Sequence, residues 1–264
     1  MPVKPAAYIA RLELPDAVPT AARPVTLLAR DLDTSELIAP HSHRWGQVTY
    51  AREGLVRVTV SDSTWIVPPL RAIWIPPNVV HELATLEKAQ LRGLFVYEGA
   101  RPFQGSDCVV LDVSPLLREL IVALTEDKRS ATREVVLAAL ILDELAHSAT
   151  LPMRVALPAD KRLRALCARL LADPAAPLTL DQWAKQIGMS ERTLARRFEQ
   201  DLGMTFGQWR QQMRLAHAAP LIARGLPLSQ VAAELGYASQ SAFSAMFKKT
   251  FGQSPSTFYM RKAE

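Results

Sequence analysis

The chain writes one pattern twice. WAKQIGMSERTLARRFEQDLG runs from Trp183 to Gly203, and VAAELGYASQSAFSAMFKKTFG from Val231 to Gly252. Leu180, Trp183, Ala184, Ile187 and Gly188 return as Leu228, Val231, Ala232, Leu235 and Gly236 at an offset of 48. After one inserted residue, Leu194, Phe198, Leu202 and Gly203 return as Phe243, Phe247, Phe251 and Gly252 at an offset of 49. Self-similarity at fixed spacing marks a repeated structural unit, and two copies are too few for a solenoid. The last third of the chain is therefore expected to fold as two like units.

Each copy reads as a short helix, a tight turn and a second helix. Trp183, Ala184 and Ile187 share one helical face. Gly188 and Gly236 stand where the first helices end, and glycine enters the left-handed region there without steric cost. Ser190 and Ser239 are placed to cap the second helices. Leu194, Phe198 and Leu202 recur every four residues and face inward, as do Phe243, Phe247 and Phe251. Arg192, Arg196 and Glu199 then face outward. This is a helix-turn-helix, whose second helix fits the major groove with its N-terminal residues at base edges. Arginine suits that outward face, because its fork matches guanine O6 and N7 and also grips phosphate. The plainer alternative is a helical hairpin with arginines exposed for solubility. The duplication weighs against it, and so does the charge: from Asp160 onward there are 15 Lys/Arg against 8 Asp/Glu, and before it 16 against 18. The basic excess travels with the repeat and points to a polyanion, nucleic acid first.

Between the copies lies FGQWRQQMRLAHAAPLIARG, Phe206 to Gly225. Its apolar spacing predicts a helix of about 18 residues, roughly 27 Å long. A rigid spacer of that length sets two recognition helices into successive major grooves, about 34 Å apart.

The stretches SERTLARRF and VAAELGYASQSAFSAMFKKTFGQSPSTF resemble the DNA-binding domain of the AraC/XylS family of bacterial transcription regulators, over the region from Asp160 to Phe258. The resemblance implies base contacts from Arg192, Ala195 and Arg196, with Glu191 beside them, and from Gln240, Ser241, Ser244 and Ala245 in the second unit. Lys248 and Lys249 are expected on phosphate. Two residues depart from the pattern. Ala245 stands where many relatives carry a basic or longer polar residue, which weakens sequence reading by the second unit. Pro220 falls inside the linker helix, where its ring clashes and one hydrogen bond is lost, so a kink is expected.

From Pro24 to Tyr97 the composition changes. Short runs such as LVRVTVSDSTWIVPP and RAIWIPPNVVHEL, rich in Val, Thr, Trp and Pro, suggest an all-β barrel or sandwich. In HSHRWGQVTYAREG, strand alternation places His41, His43 and Gln47 on one face, with Gly54 further on. His81 follows in PPNVVH. Residues 35–97 resemble a cupin, specifically the cupin sensor domain that precedes many AraC-type DNA-binding domains. Gln47 stands where the first cupin motif has Glu. Asn78 stands where the second has Gly, which Asn tolerates because it visits left-handed conformations. His41, His43 and His81, with Gln47, form a candidate site for one divalent transition metal (Zn, Ni, Cu or Fe), since imidazole suits all four. Loss of the Glu charge weakens that site. Two alternatives stay open: a metal-free small-molecule pocket, with Trp45, Trp65 and Trp74 as candidate lining, or histidines that hold no ligand.

In the middle, Leu116, Leu117, Leu120, Ile121 and Leu124 form one helical stripe, and Val135, Val136, Ala139, Leu140, Leu142, Leu145 and Ala146 a broader one. Such helices either cover the barrel or pair with another subunit. The resembling family often dimerises there, so a homodimer is expected. The architecture is expected to be α+β and multidomain. Residues 1–110 form a cupin-like β-barrel with flanking helices, 111–150 a helical dimerisation region and 151–159 a linker with two prolines. Residues 160–264 form an all-α domain of two helix-turn-helix units joined by a linker helix.

Cys108 and Cys167 are far apart, which argues against a disulfide framework and suits a reducing, bacterial cytoplasm. No run of apolar residues is long enough to span a membrane, and no signal peptide is read. The expected function is sequence-specific DNA binding controlled by a small molecule or metal in the barrel, activating or repressing transcription. The expected partners are promoter or operator DNA, the effector, RNA polymerase and a second copy of the chain. One alternative is a cupin metal-dependent enzyme, a dioxygenase or isomerase, with an appended DNA-binding domain. Gln47 in place of Glu argues against it, so no enzyme is expected. Another is an architectural DNA-binding protein whose barrel only dimerises.

Overall fold

The computed structural model describes residues 7–9, 18–69, 71–125, 130–151, 153–252 and 254–260. The chain divides into two compact units. One holds residues 1–60 and 66–152; the other holds Ser61–Trp65 and everything from Met153.

The first unit is built on strands β1 (Ala7–Ile9), β2 (Val25–Leu32), β3 (Glu36–His41), β4 (Gly46–Glu53), β5 (Val56–Thr59), β7 (Arg71–Ile75), β8 (His81–Thr85), β9 (Ala89–Val96) and β10 (Val109–Asp112), while β6 (Ser63–Val67) has its first three residues in the second unit and its last two in the first. Helices α1 (Pro115–Ala123) and α2 (Ala131–Ala146) follow, then β11 (Thr150–Leu151). One sheet carries β1-β3-β8-β5, and the other runs β11-β10-β7-β4-β9-β2. Alternation gives the second sheet two apolar faces. Val48, Tyr50, Ala72, Trp74, Leu94 and Val96 pack on Leu117, Leu120 and Ile121 of α1 and on Leu137, Ala138, Ile141 and Leu145 of α2. The residues between them, Gln47, Thr49, Gly93 and Phe95, face the barrel interior. The helices thus cover the barrel with one face, while Leu116, Val122, Val135, Val136 and Leu140 on their other faces are exposed.

The expected linker is ordered as two short strands. Thr150–Leu151 pairs with β10 in the first unit. In the second unit, β12 (Val155–Ala156) pairs antiparallel with β6, Val155 opposite Thr64. Helices α3 (Lys161–Ala172), α4 (Leu180–Gln186), α5 (Glu191–Leu202), α6 (Phe206–Ala223), α7 (Leu228–Glu234), α8 (Gln240–Phe251) and α9 (Pro255–Met260) complete that unit. The repeat is the pair α4–α5 and α7–α8. Ser190 and Ser239 accept from the N–H groups of Thr193 and Ala242, and Gly188 and Gly236 take φ of 68° and 70°. Leu194, Phe198, Phe243 and Phe247 are fully buried; truncating either phenylalanine to Ala costs about 3–5 kcal/mol by the usual cavity rule. The spacer helix α6 is 18 residues long. Pro220 lies in its last turn, with the helix continuing to Ala223. The lost bond, and the kink expected from it, are thereby confined to the end of the spacer.

Candidate functional site

Two regions carry chemistry. The first is the barrel interior. A pocket opens there, lined by residues of β2, β3, β4, β8 and β9. His41 ends β3 and sits opposite His81 at the start of β8, after a break in register beyond Ile38. His43 comes from the β3–β4 loop and is buried. Asn78 takes the left-handed φ of 63° just before His81. The rings of His41 and His81 are 4.3 Å apart between centroids, and those of His43 and His81 are 5.2 Å apart. One ring nitrogen from each of the three lies within 4.8 Å of the others.

The hydrogen bonds separate the three histidines. His41 Nδ1 lies 2.9 Å from the Ala39 carbonyl and His81 Nδ1 2.9 Å from the Val79 carbonyl. A carbonyl only accepts, so each Nδ1 carries the proton, and in the neutral ring Nε2 keeps its lone pair. Both Nε2 atoms are buried without a partner. Burial pushes the His81 pKa down to about 4, so the ring is neutral at pH 7. His43 differs. Its Nδ1 donates to the Trp45 carbonyl at 2.7 Å, and its Nε2 lies 2.8 Å from Gln47 Oε1. Gln47 in turn donates to Thr49 Oγ1 at 2.8 Å. Burial lowers the His43 pKa as well.

The expected lining is therefore brought together in part. His41, Gln47 and His81 line the pocket. Trp45 stacks on the His43 ring at 5.1 Å, with 6° between the planes. Trp74 does not reach the pocket. Its ring lies so close to Gly46 that a Cβ there would fall 1.9 Å from it, on the face that packs against α1 and α2. The reason is strand parity: Trp74 pairs with Val48, the neighbour of inward-facing Gln47 and Thr49. Trp65 is buried in β6 and is absent from the lining. Gln47, expected as a metal ligand, has its oxygen turned to His43. Of the lining residues that the sequence reading did not name, Arg30 alone carries a charge. Arg30 of β2 enters the pocket beside Leu28, and its Nη1 is buried without a partner. Its parity with Leu28 was the available signal, but that parity fixes an inward side only once β2 is seen to pair with β9.

The second region is the outer face of α5 and α8. Glu191, Arg192 and Arg196 are exposed on α5 and Ala195 is half-buried. On α8, Gln240, Ser241, Ala245, Lys248 and Lys249 are exposed and Ser244 is half-buried. Arg192 and Arg196 have no ion pair among the described residues. Other arginines are spent on the fold. Arg197 Nη1 donates to Asp160 Oδ2 at 2.6 Å, Arg210 to the Leu178 and Ala176 carbonyls, and Arg214 to the Pro174 carbonyl.

Both parts of the chain match models of known domains. Residues 24–142 match the model of an AraC-like ligand binding domain, and residues 183–261 that of a helix-turn-helix domain. The HTH-type transcriptional regulator NimR of Escherichia coli K12 is 36% identical over 232 residues, 86% of this chain and 85% of that protein. The HTH-type transcriptional regulator RipA of Corynebacterium glutamicum is 37% identical over 102 residues, 39% of this chain and 31% of its own length. Among solved structures, ToxT from Vibrio cholerae matches with a TM-score of 0.39 at 12% identity, over 91% of this chain and 100% of that one. No helix among the described residues is long and apolar enough to cross a membrane.

Proposed function

The chain belongs to the AraC family, as a DNA-binding transcription regulator with an N-terminal ligand-binding domain, and on that premise we propose that the barrel pocket senses an effector that sets how the two recognition helices engage an operator. The observation that carries this reading is the pair of buried, unpartnered Nε2 atoms of His41 and His81. Lone pairs held dry without a donor or a cation cost free energy that a ligand recovers. The barrel is a sensor on this reading, and the chain is not an enzyme.

The donor set also fits a divalent transition metal. Nδ1–H held by a backbone carbonyl with Nε2 free is the arrangement that orients a ligating imidazole. His41 and His81 would hold the ion, and His43 would join them once its Nε2 leaves Gln47. The ion would supply a positive charge and an open position for an effector atom. On DNA, Arg192, Arg196, Ala195 and Glu191 meet base edges from α5, and Gln240, Ser241 and Ser244 from α8, with Lys248 and Lys249 on phosphate. The exposed face of α1 and α2 joins two copies, and the regulator acts in the cytoplasm at promoters where it meets RNA polymerase.

The test is elemental analysis of the purified chain beside His41→Ala/His81→Ala, with operator affinity measured before and after chelation. The reading expects bound metal in the native protein, its loss in the variant, and a change in operator affinity on chelation. Equal metal content in both proteins removes the metal site. Operator affinity indifferent to chelation and to every added small molecule removes the sensor.

A further inference from the structure

The pocket has a cation in its wall and, among the described residues, no acidic side chain in its lining. Arg30 is half-buried, but its Nη1 is fully buried and meets no hydrogen-bond partner. Among the described residues no carboxylate lies within ion-pair distance of it. The neighbouring Arg92 shows the contrast: it reaches Asp31 at 3.8 Å. None of the residues lining the pocket is Asp or Glu. A buried N–H donor is unfavourable unless something completes it. His41, Gln47, Thr49 and His81 form the polar part of the remaining wall, and Leu28, Ile38, Leu83, Leu91 and Phe95 its apolar part.

We propose that the effector is a small carboxylic acid with a mainly apolar body. Its carboxylate sits on the Arg30 guanidinium and its hydrocarbon part on Leu28, Ile38, Leu83, Leu91 and Phe95. Arginine is the residue for that task, because its fork meets both carboxylate oxygens at once. The proposal rests on the sensor reading above and names the class of molecule sensed. It does not depend on a metal: a cation at the histidines would add positive charge and favour the same anion.

The test is calorimetry on the full chain at neutral pH with acetate, butyrate, hexanoate, octanoate and benzoate, each beside its primary amide. At least one acid should bind, and its amide should bind roughly tenfold or more weakly, the scale of one charge-assisted contact. Arg30→Gln should weaken the acid to the level of the amide. Arg30→Lys, which keeps the charge without the fork, should bind the acid more weakly yet still prefer it to the amide; this variant carries the test should Arg30→Gln fail to fold. The proposal is overturned by amides that bind as well as acids, by an Arg30→Gln protein that keeps native acid affinity, or by no acid binding at all. Affinity for a DNA site obtained by random-oligonucleotide selection, measured in the same samples, separates the two readings. An acid held through Arg30 that leaves DNA affinity unchanged keeps the ligand class and removes effector control. A neutral ligand that shifts DNA affinity keeps effector control and removes the acid.

Discussion

Arg192 and Arg197 lie five residues apart on α5, and their surroundings assign them different work. Arg197 is tied to Asp160 at 2.6 Å, while Arg192 and Arg196 have no ion pair among the described residues. Arg192→Ala and Arg196→Ala should each cost about 1–3 kcal/mol of affinity for the selected DNA site and leave thermal stability unchanged. Arg197→Ala should lower the melting temperature first. Fluorescence anisotropy beside thermal melts decides between these outcomes. Asp160 allows a pH test. Burial alone would raise its pKa, but the N–H groups of Leu163 and Arg162 and the Arg197 guanidinium hold it below the ordinary value. A carboxyl stabilised in its charged form contributes above the unfolded pKa and loses that contribution as pH falls through the folded one. Asp160→Asn keeps a capping oxygen but loses the charge facing Arg197, so it should be less stable than the native chain at pH 7 by up to about 1 kcal/mol, the scale of a partly exposed ion pair. The gap should close as the solution is acidified below about pH 4. Denaturant melts across that range measure it, and a gap that persists in acid would show that Asp160 acts through shape and not charge. At this scale the clustering of the histidines and the outward face of Arg192 and Arg196 were legible, because rare residue types at motif spacing and residues opposite an apolar stripe carry their own label. Arg30 and Trp74 were not. Arginine and tryptophan suit either side of a strand, and only pairing with neighbours decides which side is the interior.

Among the elements, α4, α5, α7 and α8 were readable because their apolar residues repeat at helical spacing and their ends carry Ser and Gly. The short strands β11 and β12 were not. Two residues hold no periodicity, and their partners β10 and β6 lie about 40 and 90 positions away in sequence, so nothing local specifies them. Helices α1 and α2 were legible as apolar but not as two-sided. One face covers the sheet, while Val135 and Val136 remain 54% exposed and Leu140 43%. Scattered exposed apolar residues need no explanation, but a cluster on adjoining helices marks a binding surface. Val136→Glu with Leu140→Glu should convert a dimer to a monomer in sedimentation velocity without changing the melting temperature of the barrel. A native chain that already sediments as a monomer at the same concentration would remove this face as the dimer contact. Lys248 and Lys249 belong to the last turn of α8 and are exposed. Replacing either by Ala should weaken all DNA sequences alike and reduce the salt slope by about one, the signature of a lost phosphate contact. A loss confined to one sequence would instead place that lysine at a base.

For the molecule as a whole, the boundary between its two units is not where composition changes. Ser61–Trp65, drawn from the β-rich part of the sequence, belongs with the DNA-binding helices. Within that unit the Leu157 N–H donates to the Asp62 carbonyl at 2.6 Å, and Arg154 reaches Asp62 Oδ2 at 2.8 Å. The fully buried Trp209 of α6 donates its indole N–H to the Ala156 carbonyl at 2.6 Å. A fragment that starts at Asp160 therefore omits the strand that satisfies the indole of the spacer helix, whereas one that starts at Met153 keeps it. Removing one partner of a buried hydrogen bond costs about 1–3 kcal/mol, because the other loses its bond and its water together. The Asp160 fragment should be less stable than the Met153 fragment by about that amount, and Trp209→Phe should cost the Met153 fragment more than it costs the shorter one. Urea melts followed by tryptophan-independent far-UV dichroism measure both differences. Equal stabilities would mean that β12 merely lies along α6. The predicted difference would make β12 part of the DNA-binding fold, tied to the helix that spaces its two helix-turn-helix units.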